Sequence, residues 1–125
     1  MNYRRAIYND LLANIGVKPI TILFGARQVG KTTLLKKLMT EFKKPLYLAG
    51  DDPKSAALLE GKSAGELMSL LSSYDLVIID EAQKVQDIGT VLKLIADNLP
   101  NAKVVASGSS SFELANKLSE PLTGR

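Results

Sequence analysis

Eight consecutive residues, Gly25-Ala26-Arg27-Gln28-Val29-Gly30-Lys31-Thr32, satisfy the pattern G-x-x-x-x-G-K-[ST] without a gap. Each fixed position suits the binding of a polyphosphate. The glycines let the backbone curl so that successive N–H groups converge on one anion, and a helix that follows adds the positive end of its dipole. Lys31 supplies a point charge for β- and γ-phosphates. The hydroxyl of Thr32 is a ligand for Mg2+, a hard cation that prefers oxygen, and Thr33 completes the set of residues lining the phosphates.

A second constellation lies about fifty residues on. The apolar run Leu76-Val77-Ile78-Ile79 delivers two acids, Asp80 and Glu81. At the carboxyl end of a strand in an open α/β sheet, where ligands sit, Asp80 would hold Mg2+ through a coordinated water opposite Thr32. Glu81 would point toward the γ-phosphate and orient or deprotonate an attacking water. A Glu with an ordinary pKa of about 4.3 is ionised at neutral pH and can accept a proton. The plainer alternative is that both acids cap the next helix, since acids favour helix N-termini. Transfer to water needs such a base, whereas a small-molecule kinase needs acceptor-binding residues and an arginine-bearing lid. No lid is legible, so hydrolysis is favoured over transfer to an acceptor.

The elements that must position these residues alternate along the chain. Tyr3, Ile7, Tyr8, Leu11, Leu12 and Ile15 fall at helical spacing before Gly16. Ile20–Phe24 reads as a strand entering the phosphate loop, and residues 31–43 as the helix leaving it. Leu46-Tyr47-Leu48 is a second strand, and Asp52-Pro53 an N-cap followed by proline at the first helical position. Residues 63–72 return to helical spacing. The run 76–79 reads as a strand buried on both faces. Residues 87–98 form a further helix, 102–106 a fourth strand and 111–118 a last helix. Such alternation implies βαβ units with right-handed crossovers and a mainly parallel sheet between helical layers.

Composition narrows the remaining chemistry. With 125 residues, 46% apolar and 23% charged, the chain fits one soluble domain spanning 1–125. The absence of cysteine and histidine excludes disulfides, thiol nucleophiles, zinc-finger spacing and imidazole acid–base chemistry. A net charge of +3 without a basic block does not indicate nucleic-acid binding. No stretch approaches about 18 consecutive apolar residues and the N-terminus carries no apolar signal core, so a cytoplasmic location is expected.

The phosphate loop, the Asp80-Glu81 strand and the later Ser107-Gly108-Ser109-Ser110 resemble those of AAA+ and STAND-like ATPases. Phe24 to Thr33, Asp80-Glu81-Ala82-Gln83-Lys84, Gly108-Ser109-Ser110 and Gly124-Arg125 are, more narrowly, similar to a prokaryotic family with an N-terminal AAA+-like ATPase domain. Its members carry a C-terminal domain of unknown function. The resemblance implies an α/β, three-layer α/β/α P-loop NTPase fold with the 102–106 strand between the P-loop strand and the Asp80 strand. It implies ATP with Mg2+ as the nucleotide, and Ser107 or Ser109 as a sensor of the γ-phosphate, although Ser-Gly-Ser also suits an ordinary turn. Arg125 falls where such ATPases place an arginine finger acting in trans, though as the final residue it also suits a frayed end. A fifth strand and a helical lid are missing from 1–125, which suggests a domain truncated at its C-terminus, with self-association or an attached effector domain as partner. Mg-dependent ATP hydrolysis driving or gating that partner is the function implied, with a slow-hydrolysing regulatory switch as alternative and a P-loop kinase third. On this reading Lys31→Ala loses ATP affinity with the fold intact.

Overall fold

The structure, a computed structural model, describes residues 3–24 and 30–108. The order of elements is α1 (Tyr3–Asn14), β1 (Ile20–Phe24), α2 (Lys31–Met39), β2 (Pro45–Ala49), α3 (Pro53–Ala57), α4 (Ala64–Leu71), β3 (Leu76–Asp80), a 3-10 turn (Ala82–Lys84), α5 (Ile88–Asn98) and β4 (Val104–Gly108). All strand pairs are parallel, in the order β1-β4-β3-β2. The strand before the phosphate loop is therefore separated from the Asp80 strand by β4, as the family resemblance implies.

Period-two alternation in β3 explains the three layers. Leu76 and Ile78 face one side, where they pack with Tyr8 and Leu11 of α1 and Leu34, Leu35 and Leu38 of α2. Val77 and Ile79 face the other, against Leu67 and Leu71 of α4 and Ile88, Val91, Leu92 and Ile95 of α5. Every residue of β3 is buried, which accounts for its unbroken apolar run. Burying each such Leu or Ile side chain contributes about 2 kcal/mol. That apolar burial holds a polar cluster in place at one end of the strand.

Local signals decide the helix boundaries. Asp52 caps α3 by accepting from the Lys54 N–H, with Pro53 at the first helical position. Ser63 and Glu66 form a reciprocal capping box at the start of α4. The hydrogen bonds from Ser63 lower the Glu66 pKa.

Two expected boundaries need correction. The helix expected over 31–43 ends at Met39, because Thr40, Glu41 and Phe42 donate backbone N–H groups to carbonyls three residues back, tightening the chain into turns. The fourth strand, expected over 102–106, runs from Val104 to Gly108. The Ala102 N–H closes a turn onto the Leu99 carbonyl, and pairing begins where the Val104 N–H meets the Pro19 carbonyl. The shift places Ser107 inside the strand. Residues 25–29, Ser109, the helix expected over 111–118 and Arg125 lie outside the described residues. Among the described residues, no helix is long and apolar enough to cross a membrane.

Candidate functional site

Sheet register brings the carboxyl ends of the strands to one edge. Ala49 pairs with Asp80, Ile79 with Ala106, and Phe24 with Gly108. Asp80 consequently ends β3 and Ser107 stands one residue before the end of the neighbouring β4, close to the point where β1 ends at Phe24. Gly30, the second glycine of the phosphate loop, caps α2 with φ 78° and ψ 35°, a left-handed conformation that glycine adopts without steric cost. Lys31 begins α2 and is buried.

Lys31 is the hub of a buried ionic cluster. Its Nζ pairs with Asp80 Oδ1 and lies 3.3 Å from Glu81 Oε2. Asp80 Oδ1 also accepts from the Ser107 hydroxyl at 2.8 Å and from the Glu81 backbone N–H at 3.0 Å. Its other oxygen, Oδ2, accepts from the Tyr47 hydroxyl at 2.6 Å. Burial alone would raise the Asp80 pKa. Hydrogen bonds from Lys31, Tyr47 and Ser107 outweigh it and hold the carboxyl below its usual range, so Asp80 is ionised at neutral pH. Burial first, then the bond to Asp80, pushes the Tyr47 phenol well above its ordinary value, which keeps it a donor.

Glu81 does not use its side chain as a helix cap. It precedes the 3-10 turn with a left-handed backbone, φ 50° and ψ 46°, and no side-chain capping bond. Its carboxylate instead meets Lys31 and accepts from Gln83 Nε2 at 2.8 Å. A non-glycine residue in that region of φ/ψ space costs about 1–3 kcal/mol, which the surroundings must offset. Part of the support comes from Gly50, whose N–H donates to the Asp80 carbonyl at 2.6 Å. A Cβ on Gly50 would stand 2.2 Å from the Glu81 carbonyl oxygen and 2.9 Å from its carbon, so the backbones approach as only glycine permits. Gly50→Ala is expected to destabilise the fold by about 3 kcal/mol, because backbone rather than a side-chain tip must move. A chemical-denaturation midpoint within error of wild type would contradict this.

The structure brings Lys31, Asp80, Glu81 and Ser107, each named from the sequence, into one cluster, and Gly30 immediately precedes Lys31. Thr32 and Thr33 are exposed in the first turn of α2, adjacent in sequence to Lys31. Ala26, Arg27, Gln28, Val29 and Gly25 of the loop, with Ser109 and Arg125, lie outside the described residues. Tyr47, Gly50 and Gln83 were missed as site residues. Nothing in local sequence marks Tyr47 or Gly50, since strand pairing brings them to Asp80; Gln83, two residues after Glu81, was legible as part of a motif but not as a contact.

The donor set fits a magnesium-bound triphosphate. Lys31, Asp80 and Glu81 carry a formal net charge of −1 beside the Tyr47 and Ser107 hydroxyls, which is hard-oxygen chemistry with one cation. Among the described residues no group of three or more His, Cys, Asp or Glu side chains could cage a metal. Such a site suits Mg2+, which is held by one or two carboxylates together with substrate phosphates.

The sequence profile of the AAA domain family matches residues 17–125. The chain belongs to the AAA domain family. This AAA domain is 33% identical over 108 residues to an uncharacterized protein of Mycobacterium tuberculosis and to one of Mycobacterium bovis. Each match takes in 86% of the chain, which spans 23% of the length of those curated relatives. In three dimensions the AAA domain is similar to the Walker-type ATPase PABY2304 of Pyrococcus abyssi, with a TM-score of 0.66 and 21% identity over 98% of this chain and 49% of that one. It is also similar to a DNA replication initiation factor, with a TM-score of 0.57 and 19% identity over 90% of this chain and 41% of the other. At these identities the two structures speak for the fold, a P-loop ATPase fold.

Proposed function

We propose that this AAA domain binds Mg–ATP at the carboxyl edge of its sheet and hydrolyses it, the nucleotide cycle driving or gating a partner. One observation carries the reading: the motif lysine, Lys31, meets Asp80 and Glu81, 49 and 50 residues away, in a buried cluster where the parallel strands end. Residues 25–33 would wrap the phosphates, with Lys31 moving from the two acids to the β- and γ-oxygens. Thr32 and Asp80 would hold the metal, Asp80 through water because its oxygens still accept from Ser107, Tyr47 and the Glu81 N–H once Lys31 has moved. When bound, Mg2+ would neutralise charge on the phosphates. Glu81 would take the proton of the attacking water. As the water oxygen bonds to the γ-phosphorus, the bond from that phosphorus to the bridging oxygen breaks and ADP leaves. Ser107 or Ser109 would register the γ-phosphate, and Arg125 would act across a subunit boundary.

The span of 23% of the relatives' length supports an attached effector domain as the partner, and self-association is the alternative. A single domain over 1–125 and a cytoplasmic location complete the reading. One observation favours the switch alternative: Lys31 is engaged by both acids, so nucleotide must draw it away before Glu81 can act. The test is phosphate release from ATP, with and without Mg2+, alongside transfer to added acceptors. Mg-dependent release of inorganic phosphate is expected, and many turnovers per minute separate an ATPase from a slow switch. Tight Mg–ATP binding with no phosphate released would refute the hydrolase, and transfer to an acceptor in preference to water would indicate a kinase.

A further inference from the structure

Gln83 is a buried polar residue for which the proposed chemistry has so far found no use. It is 5% exposed and sits on the 3-10 turn directly after the acid pair. Its Nε2 donates to Glu81 Oε1 at 2.8 Å, and its Oε1 has no hydrogen-bond partner among the described residues. A carboxylate can only accept, so the amide nitrogen must face it and the assignment of the amide is fixed by chemistry. Leaving an amide oxygen buried and unpaired costs about 1–3 kcal/mol, a cost hard to explain on packing grounds when a Leu or Met would fill the same space.

The two oxygens of Glu81 are treated differently. Gln83 holds Oε1, while the contact with Lys31 is through Oε2 at 3.3 Å. We propose that Gln83 is a positioning residue for hydrolysis: it pins Glu81 through Oε1 when Lys31 leaves for the phosphates, so that Oε2 is the oxygen presented to the attacking water. The inference rests on the reading of Glu81 as the base. Lys31 cannot both grip the nucleotide and go on orienting Glu81. Gln83 can, because it lies two residues away on the 3-10 turn that Glu81 precedes and carries no charge that phosphates would attract. The amide also suits the task better than a cation, since it orients the carboxylate without neutralising it, leaving Oε2 able to receive the proton. The unpaired Oε1 of Gln83 provides an acceptor for a water in the same buried region.

A double-mutant cycle on Mg–ATP turnover tests this. Gln83→Met keeps the length and removes both polar atoms. We expect kcat to fall about tenfold to a hundredfold, as misplacement of a reacting group by about 1 Å does. KM for ATP should change less than about twofold, since orientation of the base does not contribute to ground-state binding. Combining Gln83→Met with Glu81→Gln should be no slower than Glu81→Gln alone, because both changes remove one function. A wild-type kcat in Gln83→Met, a change confined to KM, or full multiplicative loss in the double variant would overturn the proposal. Wild-type turnover in Glu81→Gln would instead sink the reading of the base beneath it, and the two failures are told apart by that single variant. Should Gln83→Met not fold, NMR of the Gln83 side-chain amide in the otherwise native chain decides. Its resonances should shift on Glu81→Gln and remain protected from exchange after Mg2+ and a non-hydrolysable ATP analogue are added. Indifference to Glu81→Gln, or loss of protection on nucleotide binding, would overturn it.

Discussion

Glu81→Gln is expected to bind Mg–ATP about as tightly as wild type and to hydrolyse it about 10²–10⁴ times more slowly. The amide preserves the size of the side chain and offers Gln83 an acceptor. It cannot receive a proton from water. The left-handed backbone at Glu81, φ 50°, packs against Gly50 through its main-chain carbonyl, a contact that does not involve the carboxylate, so the loop should survive the change. Loss of a base acts on the transition state and leaves ground-state affinity alone, so kcat and kcat/KM should fall together. Equilibrium binding of a fluorescent ATP analogue and steady-state phosphate release measure the two quantities separately. Turnover equal to wild type would remove Glu81 from the chemistry.

Lys31→Ala is expected to lower ATP affinity about a hundredfold and, in addition, to destabilise the nucleotide-free protein by about 3–5 kcal/mol. The second effect is not visible from the motif, which suggests a variant that folds normally. It follows from the cluster: without Lys31, the carboxylates of Asp80 and Glu81 remain buried side by side without the cation that lies between them. The sign of the pH dependence follows from Asp80. Its folded pKa lies below the ordinary value of about 4, so its contribution to wild-type stability is complete above that value and is lost as pH falls through the folded pKa. Removing Lys31 removes the first of the hydrogen bonds that depress this pKa. With the folded pKa no longer held as low, less stability should be lost on acidification through about pH 4 in Lys31→Ala than in wild type, so the two stabilities converge as pH falls below that value. Urea midpoints measured across the acid range, with calorimetric titration of Mg–ATP, check both effects. Unchanged ATP affinity in a folded variant would refute the phosphate-loop assignment.

The two motifs and the strand–helix alternation were legible because they depend on short-range rules. A buried strand shows as an unbroken apolar run, as in Leu76–Ile79, and a helix start shows as a cap, as in Asp52-Pro53. Residue type and spacing alone put Lys31 and the pair Asp80–Glu81 among the site residues, and the family resemblance added Ser107 and the strand order. The boundary errors at Met39 and Val104 also have a local cause. Apolar spacing continues through Phe42 and begins at Ala102, while hydrogen bonding stops earlier and starts later.

Only the tertiary structure decided how the cluster is wired. Tyr47 and Gly50 lie on or just past a strand whose pairing with β3 is a long-range choice, so no local signal distinguishes the tyrosine that binds Asp80 Oδ2 from one that covers a sheet edge. The same holds for the dual engagement of Lys31, and for the division of the Glu81 oxygens between Lys31 and Gln83. A sequence specifies which chemical groups are available and the local turns that carry them. The hydrogen-bond partner each one takes is set by strand register and burial, because a group removed from water must pair with whatever the packed chain brings within about 3 Å.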